Sequence, residues 1–442
     1  MSDLIAARSQ MAMSLAFHIV FAALGIAMPL LMAVAEWRWM RTKDPRYLTL
    51  AKRWSKGTAI LFAVGAMSGT VLSFELGLLW PAFMEHAGPL IGPLFALEGF
   101  AFFTEAIFLG IYLYGWSRSS PRAHFYAGLI VGVSGILSAV FVVTANAWMN
   151  APTGFELVGG RLTHINPWAA FLHPVAWHEV VHMLLAAFAA TGFLVAGIHA
   201  CFLLRNPGDF FHRQALRTAL MVGGLPALLQ PLSGDFIAKA VAEHQPAKLA
   251  AMEALFRTQQ GAPFVVGGLP DEEAQMVRYG LFIPRGLSLL LHLDPDATVG
   301  GLDAIPRADW PPVAVVHLAF QMMVGCGLIM AALAAWSGWR WLRSGALESD
   351  RWLLRCLVAA APLGFIAIEA GWVVTEVGRQ PWIIDHVMRT EEAVTPMPGL
   401  WVPMAAFTLL YLLLTGVVLW ALWRHIAATK KGAALLVQDA AA

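Results

Sequence analysis

The chain has 442 residues, of which 59% are hydrophobic and 13% charged, with a formal net charge of +1. A water-soluble chain carries about twice that share of charge, so a soluble globular enzyme is excluded. Near-neutrality gives no hint of a nucleic-acid partner. The three cysteines, Cys201, Cys326 and Cys356, sit in or beside apolar runs, form no CxxC and give no disulfide framework.

Nine apolar runs reach spanning length, at roughly 12–35, 57–79, 94–116, 124–147, 177–203, 215–235, 313–338, 354–376 and 400–423. The N-terminus lacks a basic region and a small-residue cleavage site, so the first run is read as a retained helix. Seven Lys and Arg residues lie between Arg38 and Lys56, whereas the next connection has none. Arg118 and Arg122, then Arg205, Arg213 and Arg217, then Arg340, Arg343, Arg351 and Arg355 recur in alternate connections. The positive-inside rule then puts the N-terminus outside and the C-terminus in the cytoplasm. The expected fold is an all-α integral membrane protein of nine transmembrane helices. Residues 1–235 hold the first six, 236–312 form a long outer loop, and 313–442 hold the last three and a cytoplasmic tail. A loop of that length is expected to be functional or disordered.

His18 lies about two turns into the first run; a lone membrane histidine bonds a neighbouring helix or ligates a metal. Glu98 and Glu105 are seven residues apart, two turns, and share one helix face roughly 10 Å apart along the axis. Two carboxylates inside hydrocarbon point to a proton relay or to ligands. His178-Glu179-Val180-Val181-His182 spells HExxH, which on a helix presents two histidines and a glutamate to a zinc ion. The plainer reading makes His178 interfacial and His182 a packing residue. Met323 reads as core filler unless it faces a histidine across a haem. Glu376 and Arg379, three apart at the end of the eighth run, form a pair flanked by Trp372 and Trp382, either a site or an interfacial cap. Counted from the outer ends, His18, Glu98, His182, Met323 and Glu376 share the outer half of the bilayer, the side of the long loop. That depth suggests one cofactor layer.

The stretch Gly371-Trp372-Val373-Val374-Thr375-Glu376-Val377-Gly378-Arg379-Gln380-Pro381-Trp382 resembles the GWxxxExGRQPW signature of subunit I of the cytochrome bd-type quinol oxidases. Lys248-Leu249-Ala250-Ala251-Met252-Glu253 looks like that family's KLAAxE quinol-loop segment. Leu97-Glu98-Gly99 and Asn146-Ala147-Trp148-Met149 look like two more of its motifs. The resemblance implies a haem-bearing subunit of a bacterial inner-membrane enzyme, a quinol:oxygen oxidoreductase of electron transport. Quinol would be oxidised at the outer face and oxygen reduced to water with cytoplasmic protons, charge being separated by geometry.

Carried over by position, His182 and Met323 would ligate a low-spin haem b. His18, Glu98 and Glu376 would serve a high-spin haem b and the oxygen-reducing third haem, which is haem d, or haem b in the cyanide-insensitive branch. Glu105 would hand protons toward Glu98. Lys248 and Glu253 would meet quinol in the 236–312 loop, and Trp372 would lie against the haems with Arg379 nearby. A second large membrane subunit, and a small single-span one, would be the partners. Gln321 stands where many members carry an Arg beside the low-spin haem, and the loop is the short form.

Two other classes compete. An intramembrane zinc metalloprotease would use the HExxH stretch, with Asp235 as an available third ligand. A proton-coupled transporter would use Glu98 and Glu105, but leaves His182, Met323 and the loop without a role.

Overall fold

The computed structural model describes residues 2–159 and 161–439. Among them, nine helical segments are long and apolar enough to cross a membrane. They are α1 (Asp3–Thr42), α2 (Pro45–Leu79), α3 (Pro81–Tyr114), α4 (Pro121–Asn150), α5 (Pro174–Arg205) and α6 (Phe210–His244). A short α7 (Pro246–Met252) follows, then α8 (Val313–Ser344), α9 (Arg351–Ala360), α10 (Leu363–Val377) and α11 (Trp401–Asp439). The α9–α10 pair makes one span from Arg351 to Val377.

Local chemistry sets the helix starts. Asp44, Ser120, Asp209 and Asp350 each accept a hydrogen bond from a first-turn N–H of α2, α4, α6 and α9. Pro45 and Pro121 fill first positions that need no N–H donor. Helices extend past the apolar runs wherever polar ends find partners. The sixth run is expected to stop at 235, yet α6 continues to His244, with the Asp235–Lys239 pair at 2.6 Å spanning one turn of the extension. The eighth run, expected to be unbroken, divides at Ala361–Pro362, because Pro362 has no N–H to continue α9.

Alternating connections leave two unlike ends. The basic end carries Arg38 to Lys56 and the other arginine clusters. The opposite end carries the connection between α6 and α8, and is called the loop end below. Its extended parts are short antiparallel ribbons, Phe264–Val266 against Leu281–Ile283 and Leu269–Asp271 against Met276–Arg278. These strands add to the expected all-α architecture. The connection packs on α7, α8 and α10 through buried Leu249, Met252, Leu287, Val316 and Val374. By contrast α11 exposes Leu412, Leu413, Trp420 and Trp423.

The helices approach closely where side chains are smallest. A Cβ on Gly364 would fall 2.3 Å from Ala190 Cα, and one on Gly192 2.5 Å from Gly223 Cα. Small residues let backbones meet where lipid gives no hydrophobic drive between helices. Gly364→Val is therefore expected to force α5 and α10 apart and to cost on the order of 1–3 kcal/mol, the usual range for overpacking. Thermal unfolding in detergent checks this, with Gly416→Ala as the control, since nothing lies within 4 Å of a Cβ there. Equal melting temperatures for Gly364→Val and the parent would refute the close crossing.

Candidate functional site

Both site histidines are held in the same way. His18 Nδ1 lies 3.0 Å from Ser68 Oγ of α2. The Ser68 hydroxyl already donates to the Val64 carbonyl at 2.9 Å. Its oxygen therefore accepts from His18 Nδ1–H, which leaves Nε2 without hydrogen. His182 Nδ1 lies 2.9 Å from Ser233 Oγ of α6, and Ser233 donates to Gln230 O at 3.0 Å. The His182 Nε2 lone pair faces the Gln230 amide nitrogen at 3.1 Å, the donor such a lone pair needs. A histidine fixed through Nδ1–H with a bare Nε2 is the form that binds a metal.

Met323 of α8 lies over Gly371 of α10, where a Cβ would sit 3.1 Å from its sulfur. Glu98 accepts a hydrogen bond from Ser138 Oγ of α4 at 2.8 Å. Glu105 is buried, with Gly135 of α4 and Gly25 of α1 beside it; a Cβ on either would come 3.5 Å and 3.8 Å from its Oε1. The shared face of α3 expected from the spacing holds, and Glu98 and Glu105 both meet α4.

At the loop end one hydrogen-bonded chain joins three helices and the turn after α10. Lys248 Nζ of α7 donates to Asn150 Oδ1 at 2.6 Å. Asn150 Nδ2 donates to Asn146 O at 3.0 Å and to Asn146 Oδ1 at 3.1 Å. Asn146 Nδ2 donates to Glu376 Oε1, and Glu376 Oε2 pairs with Arg379 Nη2 at 2.6 Å. Gly378 makes room for the lysine, since a Cβ there would lie 2.9 Å from Lys248 Cγ. A cleft opens beside this chain, lined by Gln245, Lys248, Asp309, Arg379, Trp382 and Asp385.

Lys248 and Glu253 are 4% and 3% exposed, so they are not the solvated surface pair that their spacing also allows. Burial lowers the Lys248 ammonium to about 8, against the Glu179 carboxylate, which favours the charge. Burial alone raises the Glu253 carboxyl to about 8. Burial likewise raises Asp385.

Sequence reading missed several of these partners. Ser68, Ser138 and Ser233 carried no signal, because a lone helical serine bonding its own helix is common. Asn150 was visible only as the residue four after Asn146. Gln321, in the position of an expected Arg, does not face the Met323 region. Its amide bridges the loop, accepting from Gly267 N and donating to Val265 O, both at 2.9 Å. The zinc reading of HExxH fails on geometry. The His178 ring stacks on Phe236, Asp235 is paired with Lys239, and among the described residues no three His, Cys, Asp or Glu converge on a metal position.

The donor set fits haem. Imidazole, thioether and carboxylate are ligands of haem and non-haem iron. Arg379 is 4% exposed, and its Nε and Nη1, like Trp372 Nε1, have no hydrogen-bond partner. Such buried donors suit an acidic group.

Comparison with known proteins agrees. The family model described as cytochrome bd terminal oxidase subunit I matches residues 6–430. A putative cytochrome bd menaquinol oxidase subunit I of Bacillus subtilis is 39% identical, over 96% of each chain. A cytochrome bd ubiquinol oxidase subunit 1 of the same organism is 32% identical, over 98% of this chain and 95% of that one. A chain in the solved structure of bd oxidase from Geobacillus thermodenitrificans superposes with a TM-score of 0.90 at 37% identity, covering 97% of this chain and 99% of that one. The chain belongs to the cytochrome bd terminal oxidase subunit I family: it is a multi-pass bacterial inner-membrane protein and the haem-bearing subunit of a quinol:oxygen oxidoreductase.

Proposed function

We propose that three groups of residues divide the reaction. His182 and Met323 hold a low-spin haem b. His18, Glu98 and Glu376 serve the high-spin haem b and the oxygen-reducing haem, which is haem d or a further haem b. Lys248 and Glu253 receive the quinol head group at the loop end, taken as the outer face with the C-terminus in the cytoplasm. The observation that carries this reading is the pair of serine-held histidines, each with Nε2 left bare.

The haems, when bound, supply the electron transfer and the oxygen chemistry. The protein's own groups do the rest. Quinol oxidation releases two protons and two electrons, and a carboxylate is needed to take the first proton. Glu253 suits that task, since its buried carboxyl titrates near the working pH. Lys248, tied to Asn150, orients the head group from the cleft wall. Asn150 and Asn146 carry the polar contact on to Glu376, so the loop and the haem layer share one hydrogen-bonded chain. Trp372 covers the layer, and the free donors of Arg379 hold an acidic group there. Protons for oxygen reduction move from Glu105 to Glu98 along α3. A second large membrane subunit, with a small single-span one, covers apolar surface such as that exposed on α3 by Phe100, Phe103 and Ile107. The 236–312 segment acts as the quinol loop, with 1–235 and 313–442 as its membrane frame.

Two outcomes follow. Met323→Leu keeps the side-chain volume and removes the thioether, so packing changes little. The optical spectrum is expected to show the low-spin haem turned high-spin and ligand-accessible. An unchanged low-spin spectrum would make Met323 plain core.

The second outcome is a pH profile. Glu253 is neutral below about 8 and becomes a carboxylate above it. Quinol oxidation is therefore expected to rise with pH, by up to about tenfold per unit below that value, and then to level off. Glu253→Gln is expected to turn over slowly and to lose the rise while every haem band remains. Steady-state quinol assays from pH 6 to 9 decide it; a parent-like profile in the variant removes Glu253 from proton transfer.

A further inference from the structure

A buried polar cluster at the basic end is used by nothing described so far. Tyr112 stands seven residues after Glu105, as Glu105 stands seven after Glu98. Seven residues are two turns, so the three side chains lie along one face of α3, roughly 10 Å apart in turn. Helix α4 runs along this face, its contact residues three and then seven apart. Ser138 meets Glu98, Gly135 lies against Glu105, and Gly128 lies against Tyr112, where a Cβ would fall 2.6 Å from the ring.

Around Tyr112 the groups are acid–base groups. His124 Nδ1 lies 2.7 Å from Glu36 Oε1, and His124 Nε2 lies 2.8 Å from the Tyr112 carbonyl oxygen. Glu36 and Tyr112 are 0% exposed and His124 is 3%. The Tyr112 ring packs on His124 with centroids 4.3 Å apart, and its hydroxyl neighbours the Glu36 carboxyl. Both nitrogens of His124 face acceptors. The two bonds are made together only when the His124–Glu36 pair shares a proton, carried on Nδ1 or on Glu36 Oε1, with Nε2–H donating to the Tyr112 carbonyl. The site therefore holds a proton in a hydrogen-bonded position inside the bundle. Glu36 Oε2 and the Tyr112 hydroxyl have no bond of good geometry. A purely structural pin between α1, α3 and α4 has no use for that remaining capacity, which is costly to bury. Lys52, in the basic Arg38–Lys56 connection, reaches this side of the cluster through Trp116. Lys52 Nζ lies 5.3 Å from the Trp116 ring, and Trp116 stacks on His124 at 3.9 Å.

We propose that Glu36, His124 and Tyr112 form the intake of the proton route, passing protons from the basic end to Glu105. The inference rests on the reading of Glu105 and Glu98 as that route. The transfer is a relay. His124 gives a proton to Glu36, Glu36 gives one to the Tyr112 oxygen as Tyr112 releases its own to water that carries it the two turns to Glu105, and His124 is refilled from the aqueous side. No electrons move and no group is consumed.

The test uses the complete oxidase with its partner subunit. Fully reduced enzyme is mixed with oxygen while a pH dye reports proton uptake and the haem spectrum is followed in parallel. Glu36→Gln and Tyr112→Phe are expected to slow uptake at least about tenfold, with haem bands and anaerobic reduction by quinol unchanged. Glu36→Asp is expected to regain most of the rate, because it restores a proton carrier; a packing role would gain nothing from the shorter acid. Tyr112→Phe keeps the ring and decides the matter alone if Glu36→Gln does not accumulate. Parent-like uptake in both, beside slow uptake in Glu105→Gln, would overturn the intake and leave the route. Parent-like uptake in Glu105→Gln as well would overturn the route itself.

Discussion

An imidazole inside an apolar bundle carries one N–H that must be satisfied, and the way this chain satisfies it governs the rest. Ser68 and Ser233 each give their single hydroxyl hydrogen to their own helix and so can only accept. His18 and His182 are thereby fixed as Nδ1–H donors with Nε2 unprotonated, that of His182 facing the Gln230 amide. Alanine in place of either serine would free the ring to rotate and to change tautomer. The tight crossings at Gly192–Gly223 and Gly364–Ala190 hold the helices that present these groups. Fold and ligand chemistry are thus set by the same helix contacts.

A second constraint acts at the loop end. Burying an ammonium, a guanidinium and a carboxylate in one place is costly unless each finds a partner. Two asparagines solve this, because an amide both donates and accepts. Asn150 accepts from Lys248 and donates to Asn146, which in turn donates to Glu376. On the proposed reading the quinol cleft and the haem layer are therefore not separate sites joined by a spacer. They are the two ends of one polar chain, whose Arg379 keeps Nε and Nη1 without a partner. Gln321 and His317 act on the same connection from α8, holding the Gly267 turn at 2.9 Å and 3.0 Å.

Much of this was legible in the chain. Hydropathy marked nine spans, because a spanning helix must be apolar over about 20 residues whatever its neighbours do. The face shared by Glu98 and Glu105 followed from helix period alone, and the extended motif around Glu376 and Arg379 pointed to the family. Three things were not legible. The extension of α6 to His244 passes through polar residues, Asp235 and Lys239 among them, that hydropathy does not count as spanning, and the division at Pro362 lay inside an otherwise apolar run. The burial of Lys248 and Glu253 depends on how the connection folds back over α8 and α10, which no local pattern encodes. The serines and Asn150 take their meaning from a partner helix distant in sequence. Helix period shows which residues share a face, not which helix that face meets.

On the proposed reading, the unprotonated imidazole nitrogens of His18 and His182 hold haem. The most direct measurement is the reduced-minus-oxidised spectrum of the purified oxidase, taken together with extraction and counting of its haems. The account predicts three haems per chain, one low-spin and two high-spin, with Soret and α bands to match. A folded protein that carried zinc and no haem, or one without colour, would contradict it.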